Sequence, residues 1–122
     1  MEPRKLMIVD DDEDLLRGLS IRLRANGYQV VHAADGIQAI NVAMKESPDL
    51  ILLDIGLPGG NGYVVMERLK AINRTSQVPI IVLSARDPAT DRQRALDAGA
   101  AAFYQKPIDN SLLLWAIQQE YA

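Results

Sequence analysis

The chain has no cysteine among its 122 residues, and this absence excludes a disulfide framework, a thiolate nucleophile and a thiolate metal site. It has no apolar run of the roughly 20 residues that a membrane span needs, and its N-terminus lacks the apolar segment of a signal peptide. It has no excess of basic residues either, since the net charge is -3. We therefore expect a cytoplasmic domain that binds neither nucleic acid nor a membrane directly.

Residues 1–122 are predicted to form a single domain, because a hydrophobic content of 48% is sufficient for a core at this length. Short apolar runs alternate with segments of helical periodicity. The predicted strands are 5–9, 28–32, 50–53, 80–83 and 102–104. The predicted helices are one that ends at Asn26-Gly27, followed by 36–46, 63–72, 89–98 and 110–121.

Five strand–helix units in succession predict an α/β fold with a doubly wound, five-stranded parallel sheet and helices on both of its faces. The common strand order for such a flavodoxin-like sheet is 2-1-3-4-5. In that order the first and third strands are neighbours, and ligands bind at the carboxyl ends of the strands beside them. The fold therefore predicts where a functional site should lie.

Acidic residues follow the two strands at this position. Asp10, Asp11 and Asp12 end the first apolar run, and Asp54 ends the third. Two ionised carboxylates about 4 Å apart repel each other by roughly 4 kcal/mol at an effective dielectric constant near 20. A hard divalent cation with oxygen ligands would offset this repulsion. The sequence thus predicts a Mg²⁺ site at this edge of the sheet.

Two further polar residues follow strands of the same sheet. Ser84 comes after the fourth apolar run, and Lys106 comes shortly after the fifth. A metal ion and an ammonium group neutralise phosphoryl oxygens, a hydroxyl donates to one of them, and a carboxylate can act as the nucleophile. Together with the acidic residues, Ser84 and Lys106 indicate a site for phosphoryl transfer.

With these residues, the chain resembles the response-regulator receiver domains of two-component signalling over essentially its full length. The resemblance depends on five motifs that occur in order, each at the end of a predicted strand or helix. They are Val9-Asp10-Asp11-Asp12, Leu53-Asp54 with Leu57-Pro58 and Gly62, Leu83-Ser84-Ala85, Ala98-Gly99-Ala100, and Lys106-Pro107. Each motif is weak alone, but the complete series is specific.

The resemblance implies that Asp54 accepts a phosphoryl group from a phosphohistidine on a sensor histidine kinase or phosphotransfer protein. Asp11 and Asp54 would bind Mg²⁺ directly, the carbonyl of Gly56 would be a third ligand, and Asp10 would act through water. Such a domain catalyses its own phosphorylation and dephosphorylation, although it serves mainly as a signalling switch.

The resemblance also implies how the site binds the phosphoryl group and signals. Ser84, the Ala85 N–H and Lys106 would bind phosphoryl oxygens, and the Lys106-Pro107 bond would be cis. Phe103 would be an aromatic switch that turns inward when Ser84 moves towards the phosphoryl group. The fourth helix, fifth strand and fifth helix would form the signalling face.

The sequence departs from the family pattern at Gly56, where most members have a larger side chain, at Gly60, where the residue is usually apolar, and at Asn61, where Asp is common. Gly56, two residues after Asp54, has no side chain to shield a phosphoryl group, and Arg86 occupies another position that tunes dephosphorylation in the family. The phosphoryl lifetime is therefore open. The loop with Gly59, Gly60 and Gly62 is expected to be unusually mobile, because glycine has the most backbone freedom.

Other interpretations of the same residues remain. Asp12, followed by Glu13 and Asp14, is more typical of a helix cap than of metal ligands. A pseudo-receiver that acts without phosphorylation and a phosphatase with an external substrate are two alternative functions. Failure to bind Mg²⁺ would favour the first, and sustained turnover of a phosphomonoester would favour the second.

The last helix suggests a partner surface. Leu113, Ile117 and Tyr121 have the spacing of a core stripe, which leaves Leu112 and Trp115 off that stripe as a candidate patch for an unknown output partner. This helix has no basic residue for the salt bridges of the usual receiver dimer. A monomer with a protein partner, or a different phosphorylation-dependent dimer, is expected. The chain could be a complete regulator or part of a longer one.

Overall fold

The computed structural model describes residues 4–57 and 62–121. These residues form one sheet of five strands and five helices that alternate along the chain. The strands are β1 (Lys5–Val9), β2 (Gln29–Ala33), β3 (Leu50–Leu53), β4 (Ile80–Ser84) and β5 (Ala102–Gln105). The helices are α1 (Glu13–Ala25), α2 (Gly36–Glu46), α3 (Gly62–Ala71), α4 (Pro88–Asp97) and α5 (Asn110–Gln119).

The strand order is β2-β1-β3-β4-β5, and every neighbouring pair is parallel. The predicted fold class and strand order are therefore confirmed. β1 is the central partner of β2 and β3, with Met7 opposite Val31 on one side and Ile51 on the other. Predicted and observed element ends differ by two residues at most, which is within the range over which helix and strand ends fray.

Two apolar cores cover the two faces of the sheet. Alternate strand residues such as Leu6 and Ile8 pack with α1 and α5, whereas Met7 and Val9 pack with α2, α3 and α4. Because successive side chains of a strand point to opposite faces, fully apolar runs are required where both faces are covered. The sheet interior is therefore apolar, and the buried Asp10 and Ser84 lie at its carboxyl rim.

One predicted helical stripe is wrong in part. The sequence pattern of α2 predicts one apolar face with Ile37, Ile40, Ala43 and Met44, but the side chain of Ile37 is 69% exposed. The buried face of α2 instead consists of Gly36, Ala39 and Ala43. Asp35 caps this helix by accepting the N–H of Gln38, and small side chains then bring the helix close to the sheet. The apolar pattern predicts that the larger residues are buried, whereas the small residues face the sheet in the structure.

The last helix agrees with its predicted stripe. Leu113 and Ile117 are buried on α5, and Tyr121 packs partly buried against the same core. Leu112 and Trp115 are exposed. No helix within the described ranges has the length and hydropathy to cross a membrane.

Candidate functional site

The sheet register places the first and third strand ends side by side. Val9 is opposite Leu53, so the following residues, Asp10 and Asp54, leave the sheet at the same point. Their backbones are fixed there, because the Asp54 N–H donates to Val9 O at 2.9 Å and the Asp10 N–H donates to Ala33 O at 3.1 Å. Two carboxylates from distant parts of the sequence are thereby held as neighbours.

Asp11 completes a cluster of three carboxylates. One oxygen from each of Asp10, Asp11 and Asp54 lies within 4.8 Å of the other two. Ligands around an octahedral Mg²⁺ at about 2.1 Å are at most about 4.2 Å apart, so only a small contraction would be needed for all three to reach one ion. Asp10 is buried, Asp54 is partly buried and Asp11 is exposed, which gives an all-oxygen site that is open to solvent. The cluster fits a hard divalent cation.

Lys106 extends across the cluster from the end of β5. Its Nζ donates to Asp10 Oδ2 at 2.5 Å and to Asp54 Oδ2 at 3.2 Å. Its backbone N–H donates to Ser84 O at 2.8 Å, which fixes the start of the following loop. The Lys106-Pro107 peptide bond is cis, as expected. The ammonium group therefore lies where the charges of two carboxylates meet.

Backbone N–H groups bind the other oxygens of these two carboxylates. Asp10 Oδ1 accepts the N–H of Asp12 at 3.0 Å, and Asp54 Oδ1 accepts the N–H of Gly56 at 2.9 Å. A Cβ at position 56 would lie 3.4 Å from Asp54 Oδ1, in ordinary contact. A larger side chain would thus stand beside the Asp54 carboxylate, and glycine leaves that side uncovered.

The electrostatics of the site is dominated by burial. Burial raises the pKa of Asp10, and the hydrogen bond and charge of Lys106 only partly oppose this effect. For Lys106, burial lowers the pKa, but the hydrogen bonds and charges of Asp10 and Asp54 outweigh it, so the pKa is raised. The ammonium is thus firmly protonated, whereas the negative charge on Asp10 is incompletely compensated. An additional cation would stabilise that charge.

Ser84 is buried at the end of β4, and its Oγ accepts the N–H of Arg86 at 3.1 Å. The hydroxyl hydrogen is left for another acceptor. Phe103 is opposite Val82 in β5 and is buried in the core on the α2, α3 and α4 side. Its role as a switch stays a prediction.

Asp12 caps α1 and is not part of the carboxylate cluster. Its side chain accepts the N–H groups of Asp14 and Leu15, both at 3.1 Å, as the alternative interpretation of the acidic run predicts. The loop around Gly59 and Gly60, which was expected to be mobile, lies in residues 58–61, outside the described residues.

A second buried carboxylate was missed by the sequence reasoning. Asp91 of α4 is 6% exposed, and its Oδ1 accepts the hydroxyl of Tyr63 at 2.7 Å. Its Oδ2 accepts the hydroxyl of Thr90 at 3.0 Å, and Arg86 Nη1 is 4.0 Å from Oδ1. One signal was available: Asp91 precedes the buried Ala95 by four residues, so it lies on the inward stripe of its helix.

A family model of the response regulator receiver domain matches residues 6–118. The chain belongs to this family. The receiver domain is similar to part of the response regulator PleD of Caulobacter vibrioides, with 38% identity over 109 residues, 89% of this chain and 24% of that protein. It is also similar to the transcriptional regulatory protein KdpE of Mycobacterium tuberculosis, with 40% identity over 102 residues, 84% of this chain and 44% of that protein. It thus spans less than half of either relative.

Solved structures of receivers superpose closely on this receiver domain. A putative response regulator from Chloroflexus aurantiacus has a TM-score of 0.91 and 32% identity and covers 97% of both chains. The chemotaxis response regulator CheY4 of Vibrio cholerae has a TM-score of 0.89 and 28% identity, with 96% of this chain and 98% of that one covered. The receiver domain of the sensor histidine kinase PA1611 from Pseudomonas aeruginosa has a TM-score of 0.88, 32% identity and 96% coverage of both chains, and magnesium is coordinated in its active site cleft.

Proposed function

We propose that this receiver domain transfers a phosphoryl group from a phosphohistidine of a sensor histidine kinase or phosphotransfer protein to Asp54, in a reaction that requires Mg²⁺. The observation that carries the proposal is the Lys106 ammonium, which binds Asp10 and Asp54 together beside the three-carboxylate cluster. Stability alone does not explain such a cluster, because well-packed apolar residues of similar volume would stabilise the rim equally or better. Phosphoryl transfer uses both the cation and the carboxylates.

The chemistry follows from the atoms around Asp54. One Asp54 carboxylate oxygen attacks phosphorus, an O–P bond forms and the P–N bond to the imidazole breaks, with the electron pair leaving on nitrogen. The Gly56 N–H holds Asp54 Oδ1 and so keeps the carboxylate oriented for attack. Lys106 stabilises the negative charge of the phosphoryl oxygens, and the Ser84 hydroxyl and the Ala85 N–H each donate to one of them.

Asp11 and Asp54, with the Gly56 carbonyl, are proposed to hold Mg²⁺ directly, and Asp10 is proposed to act through a bound water. When bound, the ion neutralises phosphoryl oxygens and the mutual repulsion of the carboxylates. This assignment is supported by the oxygen-only donor set and by the magnesium in the cleft of the PA1611 receiver domain.

Phosphorylation is proposed to shift a two-state equilibrium at the face formed by α4, β5 and α5, with Ser84 and Phe103 as the switch residues. Leu112 and Trp115, exposed on α5, are proposed as the contact for an output protein or effector domain. KdpE, a relative, is a transcriptional regulatory protein, so a transcriptional output is the first to test. The cytoplasmic location and the monomeric or dimeric state stay predictions.

The decisive experiment is an intact-mass measurement after incubation with acetyl phosphate, with and without Mg²⁺. We expect one phosphoryl group to be added only with Mg²⁺ and none to be added to Asp54→Ala. Asp97→Ala is a matched control, because Asp97 is an exposed aspartate that accepts a hydrogen bond from Gln93. This variant should be phosphorylated normally.

The contrary outcomes are equally clear. Phosphoryl addition that persists in folded Asp54→Ala would contradict the assignment of the phosphoacceptor. A folded wild-type protein that neither binds Mg²⁺ nor gains a phosphoryl group would contradict the proposed reaction and favour a pseudo-receiver.

A further inference from the structure

The buried Asp91 on α4 contacts both the start of α3 and the segment that follows Ser84. Helix α3 begins at Gly62. The Gly62 N–H donates to Ile55 O at 2.8 Å, and a Cβ on Gly62 would lie 2.3 Å from Ile55 Cα. The start of α3 is therefore in close backbone contact with the residue that follows Asp54, and Tyr63 projects from this fixed position.

The segment that follows Ser84 leads into α4. The Arg86 N–H donates to Ser84 Oγ at 3.1 Å, and the Arg86 guanidinium is 4.0 Å from Asp91. Asp87 caps α4 by accepting the N–H of Ala89 at 2.9 Å, and its carbonyl accepts the N–H of Asp91 at 3.1 Å. The segment between Ser84 and α4 is therefore fixed at both ends.

The Asp91 side chain joins the start of α3 to α4 and lies 4.0 Å from Arg86 in the segment that follows Ser84. Its Oδ1 accepts the Tyr63 hydroxyl and its Oδ2 accepts the Thr90 hydroxyl, so both oxygens are occupied. The Arg94 guanidinium lies 3.9 Å over the Tyr63 ring and holds the ring from the α4 side. A series of contacts thus runs from Tyr63, beside the backbone that follows Asp54, through Asp91 and Arg86 to the Oγ of Ser84.

We propose that Asp91 is a positioning residue: by holding Tyr63 and the segment with Arg86, it fixes the Ser84 hydroxyl relative to the backbone that follows Asp54. The inference rests on the proposed function, since Ser84 must donate to a phosphoryl oxygen for this positioning to matter. A buried carboxylate on the inward stripe of a helix is unfavourable for packing alone, because an apolar residue would fill the space without desolvating a charge. Its presence is explained by the directed hydrogen bonds that it accepts.

The test uses two probes that separate the metal site from the phosphoryl site. The first is Mg²⁺ alone. The second is beryllium trifluoride in the presence of saturating Mg²⁺, which mimics a phosphoryl group on a carboxylate. Both affinities are measured by titration at a temperature well below thermal unfolding, for the wild type, Tyr63→Phe, Asp91→Ala and the double variant.

We expect Tyr63→Phe and Asp91→Ala each to weaken beryllium trifluoride binding by about fivefold, with Mg²⁺ affinity unchanged, because each loses one buried hydrogen bond of the series. The double variant should be no weaker than Asp91→Ala, since both changes remove the same contact. Asp91→Asn should restore part of the affinity, because its amide oxygen still accepts the Tyr63 hydroxyl.

Matched controls separate positioning from general destabilisation. Asp97→Asn makes the same chemical change at an exposed position of α4, and Tyr28→Phe removes a hydroxyl from a partly buried tyrosine that packs on the opposite core. Both should bind the two probes like the wild type. Tyr63→Phe keeps the ring and its packing, so it tests the inference even if Asp91→Ala does not fold.

The outcomes are distinguishable. Unchanged or tighter beryllium trifluoride binding in folded Tyr63→Phe and Asp91→Ala would overturn the positioning role and leave the proposed function intact. Equal loss of both affinities would also overturn it, because Asp91 would then support the fold and not the hydroxyl. A wild type that binds neither probe would overturn the proposed function and this inference with it.

Discussion

Asp10 and Asp91 are both buried carboxylates, 3% and 6% exposed, but their surroundings shift the carboxyl pKa in opposite directions. Burial raises the pKa of Asp10 in spite of Lys106. For Asp91 the hydrogen bond from Tyr63 leads and the pKa is lowered. The balance between desolvation and hydrogen bonding therefore decides the direction of each pKa shift: desolvation leads at Asp10, and the Tyr63 hydrogen bond leads at Asp91. In the Asp10 region, formed by Asp10, Asp54 and Lys106, the negative charge still needs a further cation. In the Asp91 region, formed by Asp91, Tyr63 and Thr90, protein hydrogen bonds stabilise the charge.

The largest expected effect is at Gly62, which lies between the two regions. A Cβ there would be 2.3 Å from Ile55 Cα and 2.7 Å from Asp54 O, and neither backbone atom can move independently. We expect Gly62→Ala to lower the free energy of unfolding by about 3 kcal/mol or more, as measured by denaturant titration. Both carboxylate regions should then be disturbed together.

Gly18→Ala is the matched control, because a Cβ at this position in α1 would have no atom within 4 Å apart from its chain neighbours and the backbone of its own helix. It should raise the free energy of unfolding by about 1 kcal/mol, the usual advantage of alanine in a helix. Equal changes in the free energy of unfolding for the two substitutions would show that the close backbone approach at Gly62 does not affect stability.

The next effect concerns the cation of the Asp10 region. We expect Lys106→Met to lower the free energy of unfolding by about 2 kcal/mol at neutral pH, because it leaves the buried Asp10 next to Asp54 without a counter-charge. Millimolar Mg²⁺ should restore part of this loss, measured by the same titration with and without the ion. Lys5→Met removes a more exposed ion pair with Glu46 and should change stability by less than about 1 kcal/mol, with no response to Mg²⁺.

Replacing Asp10 or Asp91 by asparagine should change the free energy of unfolding in opposite directions. Asp10→Asn should raise the free energy of unfolding by about 1 kcal/mol at pH 7, since it removes a poorly compensated buried charge while Lys106 keeps Asp54. Asp91→Asn should lower it, since it replaces a carboxylate whose two oxygens accept hydroxyl hydrogens. A stabilised Asp91→Asn protein would remove the contrast between the two regions.

The smallest expected effect is the pH dependence of stability, in which Asp10 and Asp91 contribute with opposite signs. The pKa of Asp91 is lowered below 3.8, so its contribution to stability is complete above pH 3.8 and is lost as the pH falls through the folded-state pKa. The pKa of Asp10 is raised above 3.8, so its contribution is complete below pH 3.8 and is lost as the pH rises through the folded-state pKa. Unfolding titrations of the two Asn variants and the wild type between pH 3 and 7 would measure both trends, and parallel curves would contradict them.

Most of the fold and the closeness of the carboxylates could be predicted from the sequence, because one rule of parallel sheets relates strand ends to one another. The carboxyl ends of parallel strands meet at one rim, so residues that directly follow strands, such as Asp10, Asp54 and Lys106, can be brought together on paper. The roles of these residues, like the single-domain assignment of residues 1–122, stay predictions.

The Asp91 contact could not be predicted in the same way. It joins side chains from two helices, 28 residues apart in sequence, and no regularity of strand order fixes which helical residues face each other. The error at Ile37 has a related cause: hydrophobic periodicity ranks side chains by apolarity, but the closeness of α2 to the sheet selects small residues such as Ala39.

Trp115 gives the domain its own optical reporter. It is the only tryptophan of the chain, and 54% of it is exposed on α5, so its indole emission depends on water at one defined spot of the surface. A protein that covers this helix would move the emission to shorter wavelength and shield the indole from acrylamide quenching. Binding at the proposed output face could therefore be followed in the unlabelled, unmodified protein, with no dye attached.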